Sequence, residues 1–169
     1  RLRRDYVIQR IAEIPGLSCH TPAGTFYAFI NISRLGMPCE EFAMKLLEEK
    51  QVVVVPGTAF GDFGEGYIRL SYATSMECLE QGLEALEEFV RLGQIGFVPG
   101  EGTTRLPYTP AYDEGRAYVQ WCMEQAGLQT SIDPVGNLIG TLPGKGKTIC
   151  MGSHIDTVPG GGIYDGAYG

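Results

Sequence analysis

A run of glycine and proline, Gly96-Phe97-Val98-Pro99-Gly100-Glu101-Gly102, splits the chain into two stretches whose patterns do not continue one another. Neither a helix nor a strand propagates easily through such a run, because glycine loses the most backbone freedom on ordering and proline removes a donor. The helical pattern upstream runs through Phe89-Val90-Arg91-Leu92 and stops at Gly93. The expected organisation is therefore a segment 1–93, a linker 94–102 and a segment 103–169. A length of 169 residues accommodates one domain or two small ones.

In the first segment, Val7, Ile8, Ile11 and Ile14 share one helical face, and Pro15-Gly16 stops that helix. Thr25 to Ile32, T-F-Y-A-F-I-N-I, is aromatic and β-branched and predicts a strand. Glu40 to Lys50 carries Phe42, Ala43, Leu46 and Leu47 at helical spacing. A short apolar strand is expected over 51–55, ended by Pro56-Gly57, and another over Tyr67 to Tyr72. Thr74 and Glu77 have the spacing of a capping box ahead of the stripe Leu79, Leu83, Leu86 and Val90. The order predicts a small α+β layer.

Strand alternation sets Ile68, Leu70 and Tyr72 on one face of that layer and Tyr67, Arg69 and Ser71 on the other. A guanidinium projecting from a rigid strand can grip a carboxylate with two parallel hydrogen bonds. Spacing alone slightly favours the plainer reading, an edge-strand arginine paired with a surface acid.

The second segment reads as a helix and then three strands. Thr109-Pro110 supplies a cap and a first-turn proline, and Ala117, Tyr118, Trp121 and Cys122 are expected on the buried face. Strands are expected over 129–132 and 137–142, then over the apolar run that ends in Gly152-Ser153-His154. On such a strand His154 and Asp156 would share one face, the imidazole binding a metal and the carboxylate orienting its ring. Gly160, Gly161 and Gly162 would let the backbone return Asp165 to the same place. A His-x-Asp pair alone is common on solvated surfaces; the glycine-rich return to a second aspartate is what points to a metal.

With 13 basic and 20 acidic residues the formal charge is −7, which disfavours nucleic acid and anionic membrane surfaces as partners. No apolar run reaches the roughly eighteen residues of a spanning helix. Five cysteines without C-x-x-C spacing read as scattered reduced thiols, so a cytoplasmic setting is expected. Arg1 at the start and a motif broken off at Gly169 read as the ends of a fragment.

Two resemblances add to these readings. Arg3-Arg4-Asp5, Pro22-Ala23-Gly24-Thr25-Phe26-Tyr27, Val55-Pro56-Gly57-Thr58-Ala59-Phe60-Gly61 and Tyr67-Ile68-Arg69-Leu70-Ser71-Tyr72-Ala73 give residues 1–93 a resemblance to the C-terminal small domain of class I/II pyridoxal-phosphate aminotransferases. That resemblance makes Arg69 the residue that binds the substrate's α-carboxylate. It also implies that pyridoxal phosphate belongs to a large domain carrying the cofactor's lysine, since no cofactor-binding residue is identifiable here. Lys45 and Lys50 read as solvated helix charges.

Gly102-Thr103-Thr104-Arg105-Leu106, Asp133-Pro134-Val135-Gly136-Asn137-Leu138, Gly152-Ser153-His154-Ile155-Asp156-Thr157-Val158 and Tyr164-Asp165-Gly166 resemble the N-terminal part of zinc-dependent amidohydrolases, such as N-carbamoyl-amino-acid hydrolases and allantoate amidohydrolase. This second resemblance implies two divalent ions, zinc or manganese. It makes His154 and Asp165 metal ligands and Asp156 a catalytic residue supporting His154.

The expected fold class is thus α/β (α+β), an aminotransferase small layer followed by the start of an α/β metallohydrolase domain. The expected function is a fusion whose leading activity is metal-dependent hydrolysis of carbamoyl or ureido C–N bonds. The alternatives are an aminotransferase identity, or a non-catalytic fragment with both sites incomplete. Either way the substrate would be a small amino-acid or ureido molecule and the parent a homodimer, with this chain inactive on its own.

Overall fold

Leu79, Leu83, Leu86 and Val90 lie along one side of a 19-residue helix, as their three- and four-residue spacing requires, and all four are buried. This helix belongs to the first of two units, Arg1–Gln94 and Ile95–Gly169, in a computed structural model that describes residues 1–98 and 100–161. Three helices, α1 (Leu2–Glu13), α2 (Cys39–Lys50) and α3 (Met76–Gln94), accompany four strands in that unit. The strands are β1 (Ser18–Cys19), β2 (Tyr27–Asn31), β3 (Val55–Pro56) and β4 (Tyr67–Ser71), in an antiparallel sheet ordered β1-β2-β4-β3. The register is fixed by Phe29 opposite Arg69 and Ala28 opposite Leu70 between β2 and β4, and by Val55 opposite Arg69 between β3 and β4.

One face of the sheet is the core. Ala28, Ile30, Ile68 and Leu70 are buried on it with Val7 and Ile11 of α1 and Phe42 and Leu46 of α2. Phe42 meets Phe89 of α3 edge to face, ring centres 5.3 Å apart. Complete burial of such a side chain stabilises by about 2–3 kcal/mol, so these contacts dominate local energetics.

Two local expectations need revision. The strand over 51–55 shrinks to Val55–Pro56. Gln51 adopts a left-handed conformation (φ 56°) that closes α2, its N–H reaching the carbonyls of Leu46 and Leu47, and Pro56 has no N–H with which to extend a ladder. At the start of α3 the cap is Ser75, whose hydroxyl accepts from the N–H of Cys78 at 3.1 Å, and not Thr74 with Glu77.

In the second unit, β5 (Phe97–Val98) pairs with β6 (Gly102–Thr103) within the expected linker. Helix α4 (Pro110–Gln125) follows, capped by Thr109, whose hydroxyl accepts from the N–H of Tyr112 at 3.3 Å. Strands β7 (Gln129–Ile132) and β8 (Leu138–Thr141) form a hairpin around an Asp133 turn, in which the Asp133 carboxylate accepts from the N–H groups of Val135 and Asn137. The expected buried stripe on α4 is not formed: Trp121 and Ala117 are exposed, and Tyr118 and Cys122 are half-buried.

The buried side chains of this unit are polar ones, Thr103, Arg105 and Thr157. Arg105 donates through Nε to the carbonyl of Ile155 at 2.6 Å and through Nη1 to that of Ile95 at 3.0 Å. Thr157 donates to Thr103 O and accepts from the N–H of Arg105. The start of an α/β metallohydrolase domain is not seen among the described residues. The strands form two separate antiparallel ribbons instead of a sheet with helices packed on it, and residues 142–158 form neither helix nor strand. Ile149 and Met151, in the apolar run expected to form a strand, are 86% and 96% exposed.

Candidate functional site

The face of the first unit's sheet opposite the core carries a polar and aromatic cluster. Arg69 projects from β4, a central strand bonded on both sides, so its backbone is held by β2 and β3 together. Its guanidinium carbon sits 4.7 Å from the ring centre of Phe60 and 5.3 Å from that of Tyr27, inside the range of cation–π attraction. Phe29, directly across the ladder, stacks on Tyr67 at 5.2 Å and meets Phe60 edge to face at 5.9 Å. Arg69 is half-buried, and among the described residues no carboxylate forms an ion pair with it. A surface acid is the reading that spacing favours for this arginine, and no described residue supplies one.

Two features hold the rings in place. Phe60 lies on a 3-10 turn, Gly57–Phe60, followed by a second turn, Asp62–Gly64. Gly57 and Gly64 face each other so closely that a Cβ on either would run into the other's carbonyl oxygen. Thr25, entering β2, has φ 120°, a costly angle for a β-branched residue. Tyr72 secures that entry: its hydroxyl donates to Thr25 O at 3.1 Å, and its N–H donates to Phe26 O at 2.9 Å.

Beside this face, Glu65 accepts at one oxygen from the N–H of Cys39, 2.9 Å, and from the N–H of Gly66, 3.0 Å. These bonds, the one from Cys39 foremost, hold the Glu65 carboxyl below the ordinary glutamate value. Glu65 thereby caps α2, whose N-terminal neighbour Pro38 offers no side-chain cap.

The other expected residues are placed differently. His154 and Asp156 do meet: Nδ1 of the ring lies 3.0 Å from Asp156 O and 3.3 Å from its Oδ1, on exposed chain. Asp165 lies outside the described residues. Among the described residues no three or more His, Cys, Asp or Glu side chains converge as a metal site would need. The described lysines of the first unit do not suit pyridoxal phosphate either, since Lys45 pairs with Glu41 and Lys50 with Glu88, each at 3.0 Å.

Sequence reasoning did not give Phe60 and Tyr27 roles beside Arg69, although both lie in the quoted motifs. Alternation along β2, a signal present in the sequence but not used there, places Tyr27 and Phe29 on one face. Nothing in the linear order shows that the Gly-bracketed turn carrying Phe60 folds back over β4.

Known proteins resemble the first half of the chain. The family described as Aminotransferase class I and II matches residues 1–86. An aspartate aminotransferase of Pyrococcus horikoshii is 50% identical over 86 residues, 51% of this chain and 22% of that protein. Aromatic-amino-acid aminotransferase 2 of Thermococcus litoralis is 44% identical over 89 residues, 53% of this chain and 23% of that protein. Among solved structures, an alanine aminotransferase from Pyrococcus furiosus overlays with TM-score 0.51 at 36% identity, covering 53% of this chain and 23% of that one. A structure from Clostridium difficile 630 with pyridoxal phosphate bound overlays at 0.50 and 30% identity, over the same shares. The chain thus spans about a quarter of the length of these relatives.

None of these findings shows an amidohydrolase segment, and with no converging metal donors among the described residues the hydrolase function, its zinc or manganese ions included, gives way to the aminotransferase reading. The match over 1–86 takes in just over half of the 169 residues, and the chain belongs to the class I and II aminotransferase family.

Proposed function

We propose that this chain supplies the carboxylate-gripping side of an amino-acid aminotransferase site, with Arg69 binding the α-carboxylate of the substrate. One observation carries this reading: a guanidinium within cation–π reach of two rings on the open face of the sheet, with no carboxylate of the described chain paired to it. Ring contacts leave the charge of the group unneutralised, and no described carboxylate takes up its N–H donors, which two parallel bonds to a substrate carboxylate require. The portion concerned is residues 1–93. The small-molecule partner is an amino acid or its 2-oxo acid, and the parent enzyme works as a homodimer.

Pyridoxal phosphate, when bound in such an enzyme, supplies the electron sink for amino-group transfer. The described residues of this chain provide neither a suitably placed lysine nor a phosphate cradle, so the cofactor would be held by a domain of the kind that the longer relatives contain. The chain alone is therefore expected not to transaminate.

Titration of the 15N-arginine-labelled chain with pyruvate tests the assignment. The Arg69 side-chain signal should move saturably, and Arg69→Ala should abolish binding. Arg69→Lys should weaken it by roughly tenfold or more, as expected when charge-assisted bonds worth about 1.5–3 kcal/mol lose their paired geometry. Unchanged affinity in Arg69→Ala would remove the assignment.

A further inference from the structure

We infer that Phe60, braced by the Gly57–Gly64 backbone contact, is a positioning residue that aims the Arg69 guanidinium, with Tyr27 as the weaker second support. The inference rests on the carboxylate reading of Arg69 and adds how the grip is held open and aimed.

An arginine side chain has several freely rotating bonds, and both its reach and its edge direction must be fixed before two bonds to a carboxylate can form together. Here no described carboxylate pairs with Arg69, and the contacts that define its position are the ring of Phe60 at 4.7 Å and that of Tyr27 at 5.3 Å. Aromatic support holds the guanidinium in place without neutralising its charge. A carboxylate in the same role would compete with the incoming substrate.

Phe60 suits this role for a further reason. It is 52% exposed, so burial of its own surface does not explain its place. Its backbone is instead set by the facing glycines: the 3-10 turn holding Phe60 starts at Gly57, and Gly64 closes the next turn against it. Phe29 supports the far side, meeting the Phe60 ring edge to face while lying opposite Arg69 in the ladder. The series Gly57–Gly64, Phe60, Arg69 passes backbone rigidity to a side chain.

The test uses the whole chain labelled with 15N-arginine, pyruvate as probe, and Phe60→Leu, Phe60→Trp and Tyr27→Leu as variants. In the wild type the Arg69 Nε–Hε signal should be displaced upfield by the rings above it. Phe60→Leu should remove most of that displacement and weaken pyruvate binding roughly three- to tenfold, the fold-change matching loss of one cation–π contact. Phe60→Trp should retain both, and Tyr27→Leu should show a smaller loss. A merely structural residue would move neither the ring-current displacement nor the affinity in a well-folded variant. Phe60→Leu with displacement and affinity unchanged overturns the inference while leaving the carboxylate reading intact. A displaced Arg69 signal in a wild type that binds no pyruvate overturns the carboxylate reading, and this role with it. Should Phe60→Leu fail to fold, an undisplaced wild-type signal alone overturns the stacking.

Discussion

Glu65 illustrates how a single exposed side chain can serve an element far from it in sequence. Its carboxylate accepts from the N–H groups of Cys39 and Gly66, and these bonds depress its pKa below the ordinary 4.5. A carboxyl with a lowered value in the folded state contributes stability that is fully present above the unfolded value. That contribution is lost as pH falls through the lowered folded value. Urea unfolding should therefore show Glu65→Gln less stable than wild type at about pH 7, with the gap closing below about pH 4. A gap that persists unchanged into acid would show that the cap works by shape and not by charge. Arg69 belongs to the same scale: Ser71 and Tyr67 were as legible on its face as Arg69 itself, yet only contacts from β2 and the 57–60 turn show what surrounds the guanidinium.

Among the elements, α3 was the most legible and is the most consequential. Its period fixed which residues face inward, and Leu83 and Leu86 are fully enclosed. Truncating Leu83→Ala should cost about 2–5 kcal/mol, because a lost transfer term is joined by a cavity that the three-helix layer cannot fully close. Removing the Ser75 cap should cost only about 1 kcal/mol. Calorimetric or urea midpoints of the two variants should keep that order, and an equal loss in both would contradict the burial argument. Helix α4 shows the reverse case. Its caps were readable from Thr109 and Pro110, but the face chosen as buried is largely exposed, because the hairpin β7–β8 covers too little of it. The strand expected through Met151 has no partner ladder, and without one an apolar run has no reason to extend.

Across the whole chain, stabilisation is unequally distributed. Every buried apolar side chain among the described residues falls between Val7 and Leu92, while the second unit buries Thr103, Arg105 and Thr157. Opening free energy follows the number of buried apolar contacts. Native-state hydrogen exchange should therefore give the slowest amides in β2, β4 and α3, with those of β7 and β8 exchanging much sooner. Equal protection in both units would show that the polar network around Arg105 is worth as much as the apolar layer.

The amino-acid order by itself determined the local periods: three helices of the first unit, the presence of its two longer strands, and the division of the second of these into a face with Arg69 and a face with Ile68 and Leu70. Those features depend on neighbours three, four or two residues apart, which a linear reading contains. Tertiary structure alone decided that Glu65 caps α2, that Phe60 returns over Arg69, and that His154 and Asp156 gather no third donor among the described residues. Each depends on chain segments brought together across a sheet or a turn, where distance in space is set by packing and backbone closure instead of by spacing.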